Sequence, residues 1–424
     1  MGQRLSTQSY KGARDFYPAD MQLENYIFDT WKRVCRSFGF EEYSFPILEP
    51  FEIFAAKTGQ EIVNEQLYSF EDKGGRKLAI RPELTPGTVR MLAQKYKEIP
   101  QPIKWFMIGN NWRFEKPQTG RGREFYQLEA NIFGVAGYEA DVELFRLIIA
   151  LMQAFGANEK MFTIKVSDRR LISSLFTDIL KLPSESQPAV RRLMDKKDKM
   201  SPEDFEAGLT ELGLTAEQIA RITTFMSGTL ETLEIPKTNV GYLTLVRIFD
   251  FFRTVGLADY LKFDPSIIRG FDYSDGLVYE VYNNNPANRR SLFGGERFDK
   301  LINIFGDYDL PSTGFAMGDY TLLEFLKGWR LLPEFSGCCD YLVTVWPSKS
   351  TEFMQKAMQI SDVLRANGST VSMWVGGSDK LEKQLKYANR MRVKYAVIIG
   401  PEEIQNNEYI VKDLKAGSSV RKRL

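Results

Sequence analysis

Hydrophobic and polar positions change period several times along the chain, and each change marks an element. Between 20 and 38, Ile27, Phe28, Trp31, Val34, Cys35 and Phe38 recur at helical spacing and Gly39 ends the run, which predicts an amphipathic helix. Residues 40–50 (FEEYSFPILEP) read as a β-rich segment interrupted by Pro46. Strands are predicted over 77–82, 103–114 and 123–135, the last two separated by the polar, glycine-containing loop EKPQTGRG. Residues 139–155 predict a second amphipathic helix, with Gly156 just past its end. From about 167 to 236 the pattern is helical and charged, which predicts an inserted helical subdomain. Strand-like text returns at 263–283 and 288–293, and a glycine-led helix is expected over 314–328. After a linker at 331–337, the segments 340–346, 352–366, 370–375, 379–391, 394–400 and 409–413 alternate strand and helix. They predict a small α/β domain with a largely parallel sheet. The expected layout is a core from 1–166 and 237–330, the insertion 167–236, the linker, and a domain at 338–424.

Composition narrows the chemistry more than the fold. Lys+Arg is 56 against 55 Asp+Glu, a net charge of +1, so any nucleic-acid surface must be a local patch. One such excess exists: residues 380–424 hold 11 Lys/Arg and 5 Asp/Glu, although a solvated amphipathic helix at 380–391 accounts for it as well. Histidine is absent from all 424 residues. That removes Ser-His-Asp and Cys-His nucleophile systems, histidine-ligated zinc and haem, and any imidazole proton shuttle. Catalysis must rest on carboxylates, arginine or lysine, backbone dipoles or a divalent ion. Three cysteines, Cys35, Cys338 and Cys339, make neither a disulfide framework nor a good metal pair and fit a reducing cytoplasm. No apolar run approaches ~18 residues, so no membrane span is expected.

Four segments carry candidate chemistry. In Trp112-Arg113-Phe114-Glu115 and Arg121-Gly122-Arg123-Glu124-Phe125-Tyr126-Gln127, three arginines converge on a hairpin loop. Guanidinium forks suit phosphate oxygens and Phe125 offers a flat face to a base, against the plainer reading of a solvated basic hairpin. In Arg81-Pro82-Glu83-Leu84-Thr85, a carboxylate beside a hydroxyl at a strand-to-helix turn suits an ammonium group, with a capping box as the plainer reading. In Ile268-Arg269-Gly270-Phe271-Asp272-Tyr273 and Phe293-Gly294-Gly295-Glu296-Arg297, glycines allow close backbone approach and an arginine suits developing charge; a Gly-Gly turn between strands is the commoner cause. Gly314-Phe315-Ala316-Met317-Gly318-Asp319 reads as tight helix–sheet packing.

Taken in order, these segments resemble the class II aminoacyl-tRNA synthetases and, within them, the histidyl-tRNA synthetase family. The resemblance spans nearly the whole chain. KGARDFYP stands near the family's N-terminal signature, FEEYSFPILEP resembles motif 1, WRFEKPQTGRGREFYQ motif 2, RGFDY and FGGERFDKL the two histidine-specific signatures, and GFAMG the first half of motif 3. The tail, with KLEKQLKYANR and VKDL, resembles the family's anticodon-binding domain. The resemblance implies an α+β fold: an antiparallel class II catalytic sheet with helices, a helical insertion, and a C-terminal α/β anticodon-binding domain. It also implies a cytoplasmic homodimer that binds ATP with Mg2+, activates an amino acid, histidine first, as its adenylate, and transfers it to tRNA. By position it gives Arg113 the α-phosphate and attacking carboxylate, Glu115 the adenine edge, Phe125 the base stack, and Arg121 and Arg123 the outer phosphates. Arg269 is the matching catalytic arginine. Glu83, Thr85 and Gln127 match the residues that hold the α-amino group, and Asn131, Tyr273, Ser274 and Glu296 fall in the side-chain pocket.

The pocket departs from the family's pattern. Asn131 stands where an acidic residue is usual, Ser274 replaces a second tyrosine, Glu296 a glycine, and Phe298 a tyrosine. Asp319-Tyr320-Thr321 replaces the end of motif 3, without its arginine. Glu296 and Asp275 offer acidity from another wall, which suits histidine in a rearranged pocket or a different cationic amino acid. A non-catalytic regulatory paralogue is the remaining alternative, although that branch lacks the anticodon-binding domain.

Overall fold

The first helical repeat folds as α1 (Pro18–Ser37), and the chain leaves it through Gly39 at φ +75°, a left-handed turn that glycine adopts without strain. The computed structural model describes residues 5–56, 65–118, 120–197, 200–268, 276–346, 350–377 and 380–423. Contacts divide the chain into two units, 1–332 and 333–424. In the first, the strands are β1 (Glu41–Glu42), β2 (Leu48–Pro50), β3 (Ser69–Glu71), β4 (Lys77–Ile80), β5 (Ile103–Trp112), β6 (Glu124–Phe133), β7 (Phe162–Asp168), β8 (Leu261–Phe263), β9 (Leu277–Asn283), β10 (Ser291–Arg297) and β11 (Ser312–Gly318). Its further helices are α2 (Phe51–Ala55), α3 (Thr85–Lys95), α4 (Glu139–Ala154), α5 (Arg169–Ser174), α6 (Gln187–Asp195), α7 (Pro202–Glu211), α8 (Ala216–Ser227), α9 (Val240–Thr254) and α10 (Asp319–Gly328).

Eight strands make one sheet in the order β1-β5-β6-β11-β10-β9-β7-β8; its inner pairings are antiparallel and its two edge pairings parallel. A separate three-stranded sheet runs β2-β4-β3. The apolar face of α1 (Ile27, Trp31, Val34, Cys35) and the buried side of α4 join Leu128, Ala130 and Ile132 of β6 in one core. Apolar residues from α5 to α9, including Leu171, Val190, Phe205, Ile222 and Phe252, continue that core. Local chemistry starts these helices. Ser201 Oγ accepts the Asp204 N–H at 3.1 Å, and Thr215 and Gln218 form a reciprocal capping box at 3.2 and 2.9 Å.

Three expectations are corrected here. The helix expected over 314–328 begins at Asp319; Ser312–Gly318 is a central strand. Buried on both faces, it shows an unbroken apolar and glycine run that periodicity does not separate from helix. Gly294-Gly295 is not a turn but lies inside β10, where a Cβ on Gly295 would collide with the Gly314 carbonyl and the Tyr279 ring. The strand text of 263–283 is broken after Phe263, where Asp264 Oδ1 accepts the Ser266 N–H at 3.1 Å and closes a turn.

The second unit has β12 (Tyr341–Val343), β13 (Val371–Met373), β14 (Tyr395–Ile398), β15 (Glu408–Asp413) and β16 (Ser419–Arg423), with α11 (Thr351–Ala366), α12 (Leu381–Arg390) and α13 (Pro401–Gln405). Its sheet, β13-β12-β14-β15-β16, is half parallel and half antiparallel rather than largely parallel. β15 returns antiparallel to β14 after the short α13, and a tight turn then adds β16: Asp413 Oδ1 accepts the N–H groups of Lys415 and Ala416 at 2.9 and 2.8 Å, and Gly417 takes φ +72°, which folds β16 back as a hairpin. Val343, Val345, Ile360, Val397 and Val411 form its core. Among the described residues, no helix is long and apolar enough to cross a membrane.

Candidate active site

β6 organises the site. Successive strand residues face opposite sides, so Leu128, Ala130 and Ile132 enter the core while Phe125, Gln127, Glu129 and Asn131 share the other face. Register carries this face sideways. Asn131 is paired with Gly314 of β11, itself paired with Glu296 of β10; Glu129 is paired with Ala316, and Ala316 with Gly294; Gln127 is paired with Gly318. Long polar side chains on β6 thus stand beside a floor of glycine and alanine, which makes a trough. Gly314 is required there, because a Cβ at that position would run into Asn131 Oδ1.

Glu129, buried at 1% exposure, is the hub. Its Oε2 accepts from Thr85 Oγ1 at 2.9 Å; its Oε1 accepts from Asn131 Nδ2 at 2.7 Å, Thr88 Oγ1 at 3.1 Å and Tyr43 Oη at 3.3 Å. Burial pushes this carboxyl up to about 7, against the pull of the Asn131, Thr85 and Thr88 hydrogen bonds, and the nearby Glu83 carboxylate adds to the rise. Thr85 begins α3 but does not cap it: Leu84 occupies the cap position without a side-chain bond, so the capping box does not form. The neighbouring Arg81 is buried and tied to carbonyls, from Nε to Asn110 at 2.8 Å and from Nη1 to Phe45 at 2.9 Å. Gln127 Oε1 accepts from Asn111 Nδ2 at 2.9 Å, while the buried Asn111 Oδ1 has no partner among the described residues. An ammonium donor suits that acceptor-rich corner.

The hairpin between β5 and β6 carries the arginines. Arg113 Nε donates to the Pro82 carbonyl at 2.9 Å, and its guanidinium lies 5.3 Å from the Phe125 ring centroid. Arg121 pairs with Glu115 at 3.5 Å. Arg123 donates from Nε to the Glu115 carbonyl at 3.2 Å and stacks 4.1 Å above Phe114. Guanidinium, ring and carboxylate therefore meet at one end of the trough.

The N-terminal segment straps this end. The Gly12 carbonyl accepts the N–H groups of Arg123 and Glu124 at 2.7 and 3.2 Å, and Tyr10 Oη accepts from Arg123 Nη1 at 2.6 Å. Arg14 pairs with Asp319 and lies 3.8 Å from the Tyr320 ring centroid; Asp319 Oδ1 also accepts the Tyr126 N–H at 3.1 Å. Glu24 shares this cluster, its carboxyl pushed up to about 8 by burial first and then by the Asp319 charge, with Arg14 opposing. Thr321, in the place of the motif 3 arginine, donates its hydroxyl back to the Gly318 carbonyl at 3.2 Å.

Under the Asn131 row, Arg297 and Asp141 form a buried pair, with Nε and Nη2 at 3.1 and 2.9 Å from Oδ2; Thr313 Oγ1 donates to Oδ1 at 2.9 Å. Burial pushes Asp141 up to about 6 despite the Arg297 charge. Phe298 packs edge-on against Phe133 at 6.2 Å.

The structure thus brings Glu83, Thr85, Arg113, Glu115, Arg121, Arg123, Phe125, Gln127, Asn131 and Glu296 to one face and its rim. Arg269, Tyr273, Ser274 and Asp275 lie outside the described residues. Glu129, Asn111, Tyr43 and Arg14 were not singled out from sequence. The polar residues at every second position of 127–131 were the available signal for Glu129.

The histidyl-tRNA synthetase family model matches residues 12–321, and an anticodon-binding domain model matches 342–424. The chain is 39% identical to the histidine–tRNA ligase of Leptospira biflexa, over 97% of this chain and 94% of that one. It is 35% identical to the histidine–tRNA ligase of Thermoplasma volcanium, over 97% and 95%. A histidyl-tRNA synthetase from Nostoc sp. PCC 7120 shares the fold, with a TM-score of 0.84 at 21% identity over 99% of this chain and 97% of that one.

Proposed function

We infer the chemistry of the site from one premise: the chain belongs to the histidyl-tRNA synthetase family, and its activity is ATP-dependent ligation of histidine to tRNA through an aminoacyl-adenylate. The observation that carries the assignment of roles is the single face of β6, on which Phe125, Gln127 and Asn131 follow one another in steps of two. A base platform, an α-amino contact and a side-chain contact are thereby strung along one strand, as condensation of ATP with an amino acid requires.

In this reading Phe125 stacks on adenine and Glu115 meets its edge. Arg113, aimed by the Pro82 carbonyl, holds the α-phosphate and the attacking carboxylate, and Arg121 and Arg123 take the outer phosphates. Arg269 stabilises charge at the α-phosphate. Glu83, Thr85 and Gln127 hold the α-ammonium; Asn131 and Glu296, with Tyr273 and Ser274, receive the imidazole. Fixed cations and dipoles supply what adenylyl transfer needs, so the protein requires no histidine side chain of its own. Mg2+ enters with ATP, held mainly by its phosphates. The second unit, basic along α12 and β16, contacts tRNA, and the chain acts as a cytoplasmic homodimer.

The test is ATP–pyrophosphate exchange with Mg2+ and no tRNA, run with each of the twenty amino acids. Exchange with histidine alone is the expected result. Exchange with another amino acid would redirect the specificity, and silence with all twenty in folded protein would remove the adenylate chemistry.

A further inference from the structure

Two contacts in the trough are chemically ambiguous in isolation. A threonine hydroxyl can donate or accept, and an asparagine amide can present either its oxygen or its nitrogen to a ligand. Here both are bound to the same partner. Thr85 Oγ1 and Asn131 Nδ2 lie 2.9 and 2.7 Å from the two oxygens of Glu129. Above a pH of about 7 Glu129 is mostly ionised; an ionised carboxylate only accepts, so there the Thr85 proton and the Asn131 NH2 are turned toward Glu129. What remains on each is acceptor capacity: the lone pairs of the half-buried Thr85 hydroxyl, and Asn131 Oδ1, which accepts no hydrogen bond among the described residues. Gly314, lacking a Cβ, leaves room for that oxygen, although Asn131 as a whole is only 1% exposed.

We propose that Glu129 is a positioning residue that fixes the hydrogen-bond polarity of the amino-acid pocket, so that Thr85 accepts from the α-ammonium and Asn131 accepts from an imidazole N–H. The proposal rests on the amino-acid site assigned above. It explains how an amide at position 131 serves a cationic or N–H-bearing side chain: the negative charge stands two residues earlier on the same strand face and acts through the amide. Thr88 and Tyr43, which also point at Glu129, hold the carboxylate in place.

Glu129→Gln keeps the shape but introduces a donor. The new amide can point its NH2 at Asn131, which turns the Asn131 nitrogen toward the ligand, or at Thr85, which turns the hydroxyl proton toward the ammonium. Either reversal leaves a buried polar group mismatched, so the KM for histidine in pyrophosphate exchange should rise about tenfold or more. The KM for ATP should stay within about twofold of the parent. The second variant, Glu129→Gln with Asn131→Asp, restores an acceptor-only group at 131 that takes the new NH2, and it should recover most of the lost histidine affinity. A carboxylate that merely props up the fold would raise both KM values or lower the yield of folded protein, and the second substitution would not repair it.

An unchanged histidine KM in Glu129→Gln, a parallel rise in the ATP KM, or no recovery in the double variant would each overturn the proposal. Should the single variant not fold, a folded double variant with near-parent histidine KM sustains the proposal, and one without it overturns it. The parent's own exchange profile is read separately. If the parent activates a different amino acid, the function reading fails, and the same comparison run with that amino acid still decides the role of Glu129.

Discussion

Asp141→Ala should be among the most damaging single changes in the first unit that touch no proposed ligand contact. Asp141 is fully buried and Arg297 is 4% exposed; the pair lies at 2.9 and 3.1 Å, with Thr313 donating to the other carboxylate oxygen. Removing the acid leaves the buried guanidinium only the Asp299 carboxylate, at 3.6 Å, as a charged partner; losing a buried partner of this kind costs about 3–5 kcal/mol. Arg297 keeps the carbonyls of Val135 and Gly137 at 3.2 and 2.6 Å, which places the loss at the low end of that range. Thr313 loses its acceptor, worth about 1 kcal/mol more, for a total of about 4 kcal/mol. Urea unfolding followed by tryptophan fluorescence, with Trp31 in the same core, reads the change as a lower midpoint. Because burial already works against Asp141, the pair returns little net stability. Asp141→Leu combined with Arg297→Met should therefore lie within about 1 kcal/mol of the parent. A loss below about 1 kcal/mol in Asp141→Ala, or a double apolar variant as unstable as the single, would refute this account of the pair.

Other expectations follow from the same geometry. Arg113→Lys gives up a planar fork aimed by the Pro82 carbonyl, so kcat in pyrophosphate exchange should fall about 10²–10³-fold with the melting temperature unchanged; retention of kcat would remove Arg113 from the reacting centre. Gly314→Ala forces a methyl group into Asn131 Oδ1, so the KM for histidine should rise while ATP binding is kept, as titration of each substrate will show. Glu24 has a folded-state pKa raised to about 8, so the folded protein holds its proton more tightly than the unfolded chain. Its contribution is complete below the unfolded value of about 4.5 and is lost as pH rises through 8. Glu24→Gln should thus melt with the parent at pH 4 and above it at pH 9, and an offset that is the same at both pH values would contradict the assignment.

Amphipathic helices and the long central strands were legible because one face of each is buried and the other is not: α1 and α4 follow their apolar periods closely. Legibility failed where burial is two-sided or partnership is distant. The 312–318 strand sits mid-sheet, so no alternation marks it, and its glycines read as a helix lead-in. β16 is polar except for Val420 and exposed at every position, and its turn with β15 is what makes it a strand. At the site, motif spacing located the arginines of the hairpin. The alternation of Gln127, Glu129 and Asn131 marks a polar strand face, but the role of Glu129 depends on Tyr43, Thr85 and Thr88, which approach from other elements and leave no trace in that segment.

The strap across the hairpin also sets an order of events during synthesis. Tyr10 meets Arg123 across 113 residues of sequence, and Arg14 meets Asp319 across 305. Residues 10–14 leave the ribosome long before either partner exists, and such distant closures are made late in folding. A nascent chain that already has β5 and β6 can close Tyr10 and Gly12 onto Arg123, but the Arg14–Asp319 half of the strap must await emergence of α10. Limited proteolysis near the strap would, by the same logic, disarm the mature protein without cutting a single residue of the trough.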